Sequence, residues 1–230
     1  MPDRRQLEAG LQRQLDALGA DAPAGWKVGL TSGSARDSMG EGFRPFGHIR
    51  ADRVFDSGAR ISLAGMRTPG IENELCFRLG RALEGEVSRS QVLDAVASVA
   101  PAFELIERRL PSNADQGDHI ADNLAQWGIV VGKERQFDWE RFPFSGLSVT
   151  LHRDGEAVQQ VAADGHIDDH FASIVALAVQ LAAFGRRIEA GARIITGSFT
   201  KQAVAGPCRY EGDFGTGEIQ GLGRVAMEYA

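Results

Sequence analysis

Apolar and polar residues alternate over many short segments of the chain, which is the pattern of strands buried on one face. Residues 26–32 are one such segment, with Trp26 on the apolar face and Lys27 and Thr31 on the other. The other predicted strands are short ones within 46–63, then 70–79, 103–108, 128–132, the hairpin 147–162, 192–197 and two strands in the tail after residue 210. The pattern predicts a fold built mainly from short strands.

Four segments show helical spacing instead, with apolar residues every three or four positions. Residues 4–18 predict an amphipathic helix on the outside of the core. The other predicted helices are 89–100, 118–127 and 168–184. Residues 33–46 have little periodicity and many Gly and Ser, which predicts a loop over the site. We therefore expect an α+β fold with one catalytic domain over 1–230, onto which the N-terminal helix region 1–22 packs.

Glu72 and Glu74 stand two residues apart in the predicted strand 70–79, so their carboxylates lie on the same face. Two carboxylates in one small space disfavour each other's ionisation unless a positive charge lies between them. A hard divalent cation suits this role, and Glu104 on a neighbouring strand is the best candidate for a third ligand. The alternative is a solvated strand edge or a ladder of ion pairs. The surrounding apolar residues favour a cation site that holds Mg²⁺ or Mn²⁺.

Charge and composition narrow the class of partner. The chain has 25 basic and 31 acidic residues and a net charge of −6, which argues against nucleic acid or an anionic membrane surface as partner and favours a small molecule. The two cysteines, Cys76 and Cys208, are too few for a disulfide framework, and we expect buried free thiols. The longest apolar segment, 172–184, is too short to span a bilayer, and the first residues lack the apolar core of a signal peptide. We expect a cytoplasmic protein.

A series of motifs runs from Trp26 towards the end of the chain. In order, they are Lys27-Val28-Gly29-Leu30-Thr31-Ser32, Ile71-Glu72-Asn73-Glu74, Phe103-Glu104-Leu105-Ile106-Glu107-Arg108-Arg109, Ala121-Asp122-Asn123, Ile195-Thr196-Gly197-Ser198-Phe199-Thr200 and Leu222-Gly223-Arg224-Val225. Together they resemble the fumarylacetoacetate hydrolase superfamily, and within it the 2-keto-4-pentenoate hydratase / 4-oxalocrotonate decarboxylase branch. The resemblance implies a mixed β-roll of the fumarylacetoacetate hydrolase C-terminal-domain type with peripheral helices. It also implies a homo-oligomer, which in this branch can associate with a partner enzyme of the pathway.

The resemblance places the family's metal ligands on Glu72, Glu74 and Glu104 and its site lysine on Lys27. It implies a small 2-oxo or 2-hydroxydienoic acid as substrate, chelated to the metal, which acts as a Lewis acid and stabilises an enolate. Lys27 would donate a proton or hold the substrate carboxylate. We expect a lyase of aromatic-compound degradation, a hydratase that adds water to a 2-hydroxy-2,4-dienoate of the 2-keto-4-pentenoate type.

Other reactions of the superfamily are alternatives. A 4-oxalocrotonate-type decarboxylase is the runner-up, because it needs the same enolate. An acylpyruvate-type C–C hydrolase ranks below it, since such enzymes use a histidine in the early loop and none lies between Ser32 and Phe46. A third alternative is a catalytically silent subunit of an active partner.

The remaining candidate residues each have more than one possible role. The resemblance implies substrate contacts from Thr31, Ser32, Asp122, Asn123, Ser198 and Thr200. For the Asp122-Asn123 pair a helix cap or a loop tie is an equal alternative, and for Ser198 and Thr200 a turn role is nearly equal. Pro45 stands where family hydratases carry an acidic residue, so Glu41 or Asp52 would have to relay protons. Glu107 faces the other side of its strand, where we expect an ion pair with a neighbouring arginine.

Overall fold

A computed structural model of the protein describes residues 3–19, 22–136, 144–215 and 221–230. The helices are α1 (Arg4–Leu18), α2 (Arg89–Ala95), α3 (Gln116–Ala121) and α4 (His170–Ala183). The strands are β1 (Gly25–Val28), β2 (Phe46–Ile49), β3 (Val54–Asp56), β4 (Ala59–Ile61), β5 (Pro69–Leu79), β6 (Val96–Glu107), β7 (Gln126–Val131), β8 (Ser148–Arg153), β9 (Glu156–Ala162), β10 (Arg193–Ala203), β11 (Cys208–Gly215) and β12 (Gly223–Tyr229).

The strands form two mixed sheets. The larger has the order β2-β1-β10-β5-β6-β7-β3 and the smaller the order β4-β12-β11-β8-β9. Long antiparallel ladders between β10 and β5 and between β5 and β6 form the centre of the larger sheet. The α+β class with curled sheets and peripheral helices is confirmed, and so are the predicted hairpin and the two tail strands. Residues 216–220 of the tail lie outside the described ranges.

The two faces of β5 and β6 have different surroundings. Ile71 and Leu75 of β5 and Phe103 of β6 belong to the main core, together with residues of the smaller sheet. The alternate positions face the other way, where Cys76 and Ala102 belong to a second apolar cluster. Glu72, Glu74 and Glu104 share this second face by the strand alternation. The larger sheet therefore separates the main core from the carboxylates.

Helix α1 confirms the predicted amphipathic helix. Asp3 caps its N-terminus by accepting a hydrogen bond from the backbone N–H of Arg5, and Gly19 ends it at a positive φ of 67°. Its leucines at positions 7, 11 and 15 are buried in the main core. Buried Gln14 donates to the carbonyl oxygens of Phe46 and Ile120, which fixes the helix over β2 and α3.

The predicted helix 89–100 is wrong beyond Ala95, because the chain enters β6 at Val96. Local spacing could not show that Val96 and Val99 pair with β5, and this tertiary pairing overrides the helical pattern. Helix α3 is likewise shorter than predicted, and its sequence continues into a 3-10 turn at Asn123–Ala125. Strand β1 ends at Val28 because Leu30 adopts a positive φ of 59°.

Cys76 and Cys208 are buried free thiols, as predicted. Within the described residues, no helix is both long enough and apolar enough to cross a membrane.

Candidate metal centre

Three glutamate side chains converge on the second face of the larger sheet. Glu72 of β5 is directly opposite Glu104 of β6 in the antiparallel register, and Glu74 follows two residues later on β5. Each offers a carboxylate oxygen within 4.8 Å of the others, and all three side chains are buried. Strand pairing thus assembles the carboxylates without help from a loop.

Two lysines neutralise part of this charge. Lys27 of β1 places its Nζ 2.7 Å from a carboxylate oxygen of Glu104, and both side chains are buried. The same Nζ donates to the carbonyl oxygen of Leu124 at 3.0 Å. Lys201 of β10, which is largely exposed, pairs with Glu72 at 2.5 Å. Glu74 has no lysine partner within the described chain.

Glu74 is held by the backbone of β10 instead. The β10–β5 register shifts between Ile195 and Ser198, and this irregularity turns the N–H of Gly197 towards Glu74, whose carboxylate accepts it at 2.7 Å. Gly197 has a φ of 135°, and a Cβ at this position would lie 2.0 Å from Oγ1 of Thr31. Only glycine fits this contact. Thr31 is itself fixed, since its hydroxyl donates to the carbonyl oxygen of Thr196.

The electrostatics of the cluster fit a bound divalent cation. Burial raises the pKa of Glu74 well above its ordinary value, and the charges of Glu104 and Glu72 raise it further. Burial also raises the pKa of Glu104, against the opposing effect of Lys27. The protein alone therefore does not support full ionisation of the cluster. A hard divalent ion prefers carboxylate oxygens and supplies the missing charge, so the donor set fits Mg²⁺ or Mn²⁺.

The pKa of Lys27 is set by opposing effects. Burial lowers it, but the charges of Glu104 and Glu72 and the hydrogen bond to Glu104 outweigh burial and raise it above its ordinary value. Lys27 is therefore an ammonium ion in the protein without a bound cation.

The cluster lies in a cavity of about 500 Å³. Its inner end, which we call the acidic end, is formed by Glu72, Glu74, Glu104 and Lys27. Apolar side chains continue the wall, among them Val28, Leu30, Ile106, Leu110 and Leu124. Arg108 and Arg109, which follow the last residue of β6, form what we call the basic end.

Known proteins are similar to this chain in both sequence and fold. The 4-oxalocrotonate decarboxylase of a Pseudomonas species is 32% identical over 204 residues, covering 88% of this chain and 77% of that protein. The 2-hydroxyhexa-2,4-dienoate hydratase of Comamonas testosteroni is 30% identical over 210 residues, covering 89% of this chain and 77% of that protein. This chain belongs to the hydratase and decarboxylase branch of the fumarylacetoacetate hydrolase superfamily.

A solved member of this superfamily branch extends the likeness to the fold. The 4-oxalocrotonate decarboxylase from Pseudomonas putida G7, complexed with magnesium and adipate, matches with a TM-score of 0.82 and 25% identity, covering 98% of this chain and 86% of that chain. No family model matches the chain.

Within this fumarylacetoacetate hydrolase-type site, four of the six expected substrate-contact residues line the cavity: Thr31, Ser32, Asp122 and Ser198. Asp122 also accepts a hydrogen bond from Nε of Arg109 at 2.8 Å. Asn123 has a structural contact, because its amide accepts from the N–H of His48 and donates to its carbonyl oxygen. Thr200 is buried away from the cavity wall, and its hydroxyl has no hydrogen-bond partner among the described residues.

The structure does not bring Glu41 or Asp52 to the site. Glu41 lines a different cavity, next to Phe43. Asp52 is exposed, pairs with Arg50 at 2.9 Å and lines other surface cavities. At these positions neither carboxylate can relay protons to the glutamate cluster, which corrects the expectation from the sequence. The loop after β1 is tied to the start of α4, since Arg44 pairs with Asp168, and its Ala35 lines the same cavity as the glutamates.

Sequence reasoning missed several cavity residues. Lys201 and Gly197 depend on the irregular register of β10, which no local pattern reveals. Arg108 had a usable signal, because it follows Glu104 and Ile106 at alternate positions and so shares their face. Glu107 faces the other way, as expected, but it accepts a hydrogen bond from the backbone N–H of Arg67 rather than an arginine side chain.

Proposed function

We propose that this chain is a divalent-metal-dependent lyase of aromatic-compound degradation that adds water to a 2-hydroxy-2,4-dienoate. The observation that carries the proposal is the convergence of three buried carboxylates and Lys27 at one end of an apolar-walled cavity. Relatives named as hydratases of such acids, each about 30% identical, support it. The magnesium complex of the related decarboxylase supports the choice of Mg²⁺ or Mn²⁺.

Glu72, Glu74 and Glu104 would hold the metal ion. When bound, such an ion supplies a Lewis acid that polarises the oxygens of a 2-oxo acid. The protein fixes the ligand geometry in advance, because paired strands carry Glu72 and Glu104 and the N–H of Gly197 orients Glu74.

Lys27 is positioned to contact the substrate. An ammonium group has three donors, and Lys27 directs two of them to Glu104 and to the carbonyl oxygen of Leu124. The third is available to the cavity that Lys27 lines. We assign Lys27 the task of holding the substrate carboxylate or delivering a proton to the carbon chain. Ser198 and the Thr31-Ser32 pair, which also line the cavity, are proposed to contact the polar head of the substrate.

Asp122 is our proposed proton relay for water addition, in place of Glu41 and Asp52. Within the described chain, it is the carboxylate of the cavity wall that does not belong to the glutamate cluster. Its hydrogen bond from Arg109 fixes its orientation. The apolar side chains between the two ends would contact the diene and limit the access of bulk water.

Decarboxylation of a 4-oxalocrotonate-type acid is the second candidate, favoured by the decarboxylase that is 32% identical. The test is to incubate the purified chain with Mg²⁺ and 2-hydroxypenta-2,4-dienoate. We expect loss of the dienol absorbance and formation of the 4-hydroxy-2-oxo acid. CO₂ release from a dicarboxylic substrate without hydration would favour the decarboxylase. Metal binding without turnover of either substrate would indicate the silent subunit instead.

Three further predictions accompany this function. We propose that the protein is cytoplasmic and forms a homo-oligomer, and that it can associate with a partner enzyme of its pathway. Sedimentation of the purified chain measures the first association, and sedimentation with the pathway enzyme measures the second.

A further inference from the structure

The basic end contains a cation that its surroundings leave unpaired. The other cations of the cavity wall each have a carboxylate partner: Lys27 has Glu104, Lys201 has Glu72 and Arg109 has Asp122. Arg108, half-buried in the same wall, has no ion pair with any described residue. A guanidinium is permanently charged, and partial removal from water is unfavourable unless an anion compensates. Arg108 is therefore the cation in this wall that is available to a ligand.

The position of Arg108 relative to the glutamates follows from strand geometry. Its backbone N–H donates to the carbonyl oxygen of Thr68, which continues the β5–β6 ladder beyond Glu107. Glu104, Ile106 and Arg108 then alternate on one face, and all three line the cavity. Four residues of extended chain place the Cα atoms of Glu104 and Arg108 about 13 Å apart. The acidic end, an apolar side chain and a free guanidinium thus follow one another along a single strand.

We infer that Arg108 binds a second, distal carboxylate, so that a dicarboxylic 2-hydroxydienoate is preferred as substrate over a monocarboxylic one. The inference rests on the proposed function, since it assigns the two ends of the same substrate. One carboxylate lies at the acidic end, the carbon chain lies along Ile106, and the other carboxylate receives the two parallel N–H groups of the guanidinium. A monocarboxylic substrate would place an apolar tail beside Arg108 and leave the guanidinium without a partner.

Two non-reacting acids of equal chain length can show whether the distal carboxylate itself adds to the binding free energy. Adipate carries a carboxylate at both ends, and hexanoate has a methyl group at one of them. We would measure both by calorimetry in the presence of Mg²⁺ for the wild type, Arg108→Gln and Arg108→Lys. Arg60→Gln is the matched control, since Arg60 is exposed on β4 and pairs with Glu228.

We expect the wild type to bind adipate more tightly than hexanoate by roughly 10- to 100-fold, the range for hydrogen bonds to a charged group. Arg108→Gln should remove most of this ratio by weakening adipate alone. Arg108→Lys should keep part of it, because it retains the charge but not the planar fork. Arg60→Gln should behave as the wild type. Equal binding of the two acids by the wild type, or an unchanged ratio in Arg108→Gln, would overturn the inference.

Turnover separates this inference from the proposed function. With dienoate substrates, the wild type should show a higher kcat/KM for the dicarboxylic acid, and Arg108→Gln should raise KM for that acid only. Turnover of dienoates without any discrimination between adipate and hexanoate would contradict the role of Arg108 and leave the function intact. Discrimination between adipate and hexanoate without turnover of any dienoate would contradict the function and leave the anion site intact. If Arg108→Gln does not fold, the wild type and Arg108→Lys still decide the outcome.

Discussion

The acidic and basic ends of the cavity are built in different ways. At the acidic end, groups from four strands fix one another: Glu72 and Glu74 come from β5, Glu104 from β6, Lys27 from β1 and the N–H of Gly197 from β10. At the basic end, Arg108 and Arg109 lie just beyond the last residue of β6, half-buried beside an exposed segment. The backbone of the acidic end is held by pairing on both sides of β5, whereas the basic end precedes an exposed segment without strand pairing. The difference agrees with our proposal that the acidic end holds the ion and that the outer end selects the substrate.

Replacing two ligands should have the largest effect and should act on the acidic end alone. In Glu72→Gln/Glu74→Gln we expect Mg²⁺ binding to be lost and activity to fall by more than about 1,000-fold. The unfolding free energy without metal should stay equal or rise, because the double change removes buried carboxylates that repel each other. In the wild type, Mg²⁺ at about 100 times its Kd should add about 2.7 kcal/mol of stability.

Calorimetry with Mg²⁺ and thermal unfolding with and without the ion measure these effects. Glu156→Gln, at an exposed position of β9, is the matched control and should keep the full response to the ion. Undiminished Mg²⁺ binding by the double variant would place the ion elsewhere and remove the mechanism.

Gly197 tests whether the backbone of β10 is as tightly fixed as the side chains. In Gly197→Ala the new Cβ meets Oγ1 of Thr31, and its φ of 135° disfavours any side chain. We expect a loss of about 3 to 5 kcal/mol in unfolding free energy and weaker Mg²⁺ binding, because the N–H that orients Glu74 would move. Gly206→Ala is the control, since a Cβ there has open space around it. Denaturant unfolding of the two variants should differ by most of this amount, and equal stability would show that β10 adapts.

The acidic end could be predicted from sequence because strand alternation and pairing alone create it. Glu72 and Glu74 are two residues apart, and Glu104 lies on the next strand in the sheet. The basic end could be predicted only in part. Strand alternation places Arg108 on the same face as Glu104, but it gives no information about the partners of Arg109. Glu41 and Asp52 were wrong choices for the same reason, because the path of a loop depends on long-range contacts that a local pattern does not contain.

The secondary structure shows the same difference: elements set by local patterns were predicted, and those set by long-range contacts were not. Helix α1, the β8–β9 hairpin and helix α4 were predicted because their patterns are local and have clear caps or turns. The boundary between α2 and β6 was not, since pairing of Val96 and Val99 with β5 decides it. Bulges such as the one at Gly197 are tertiary features for the same reason.

His170, which contacts Thr196 close to the acidic end, should make the unfolding free energy depend on pH. Its Nδ1 lies 2.8 Å from Oγ1 of Thr196, whose carbonyl oxygen accepts the hydroxyl of Thr31. Burial lowers the pKa of His170 from 6.5 to about 4. The unfolded chain therefore binds this proton first, and the contribution of His170 to stability is complete above pH 6.5 and is lost as the pH falls towards 4. The loss amounts to about 3 kcal/mol.

Unfolding free energies of the wild type and His170→Gln, measured between pH 7 and pH 4 without metal, check this dependence. We expect the variant to lose less stability over this range, by up to about 3 kcal/mol. His48, whose pKa burial also lowers to about 4, accounts for a further part of the slope that both proteins share. Parallel slopes for the wild type and His170→Gln would mean that the imidazole is protonated in the folded protein.

Replacing Asn123, in the turn between the acidic and basic ends, should have the smallest effect on the unfolding free energy. Asn123, Leu124 and Ala125 have positive φ angles of 58°, 52° and 62°, and this turn brings the carbonyl oxygen of Leu124 to Lys27. The side chain of Asn123 holds the turn through both backbone groups of His48. Asn123→Ala should cost about 2 to 3 kcal/mol, since it loses these hydrogen bonds and Ala is less favourable than Asn at a positive φ.

Asn123→Gly separates the two contributions, because glycine loses the same hydrogen bonds but accepts the backbone angle. We expect Asn123→Gly to be more stable than Asn123→Ala by about 1 kcal/mol in denaturant unfolding. Both variants should bind Mg²⁺ as the wild type does, because the glutamates are fixed by the strands and not by this turn. A large loss of Mg²⁺ affinity in either variant would mean that the acidic end depends on the outer turn, and the contrast between a rigid ion site and an adaptable outer end would then fail.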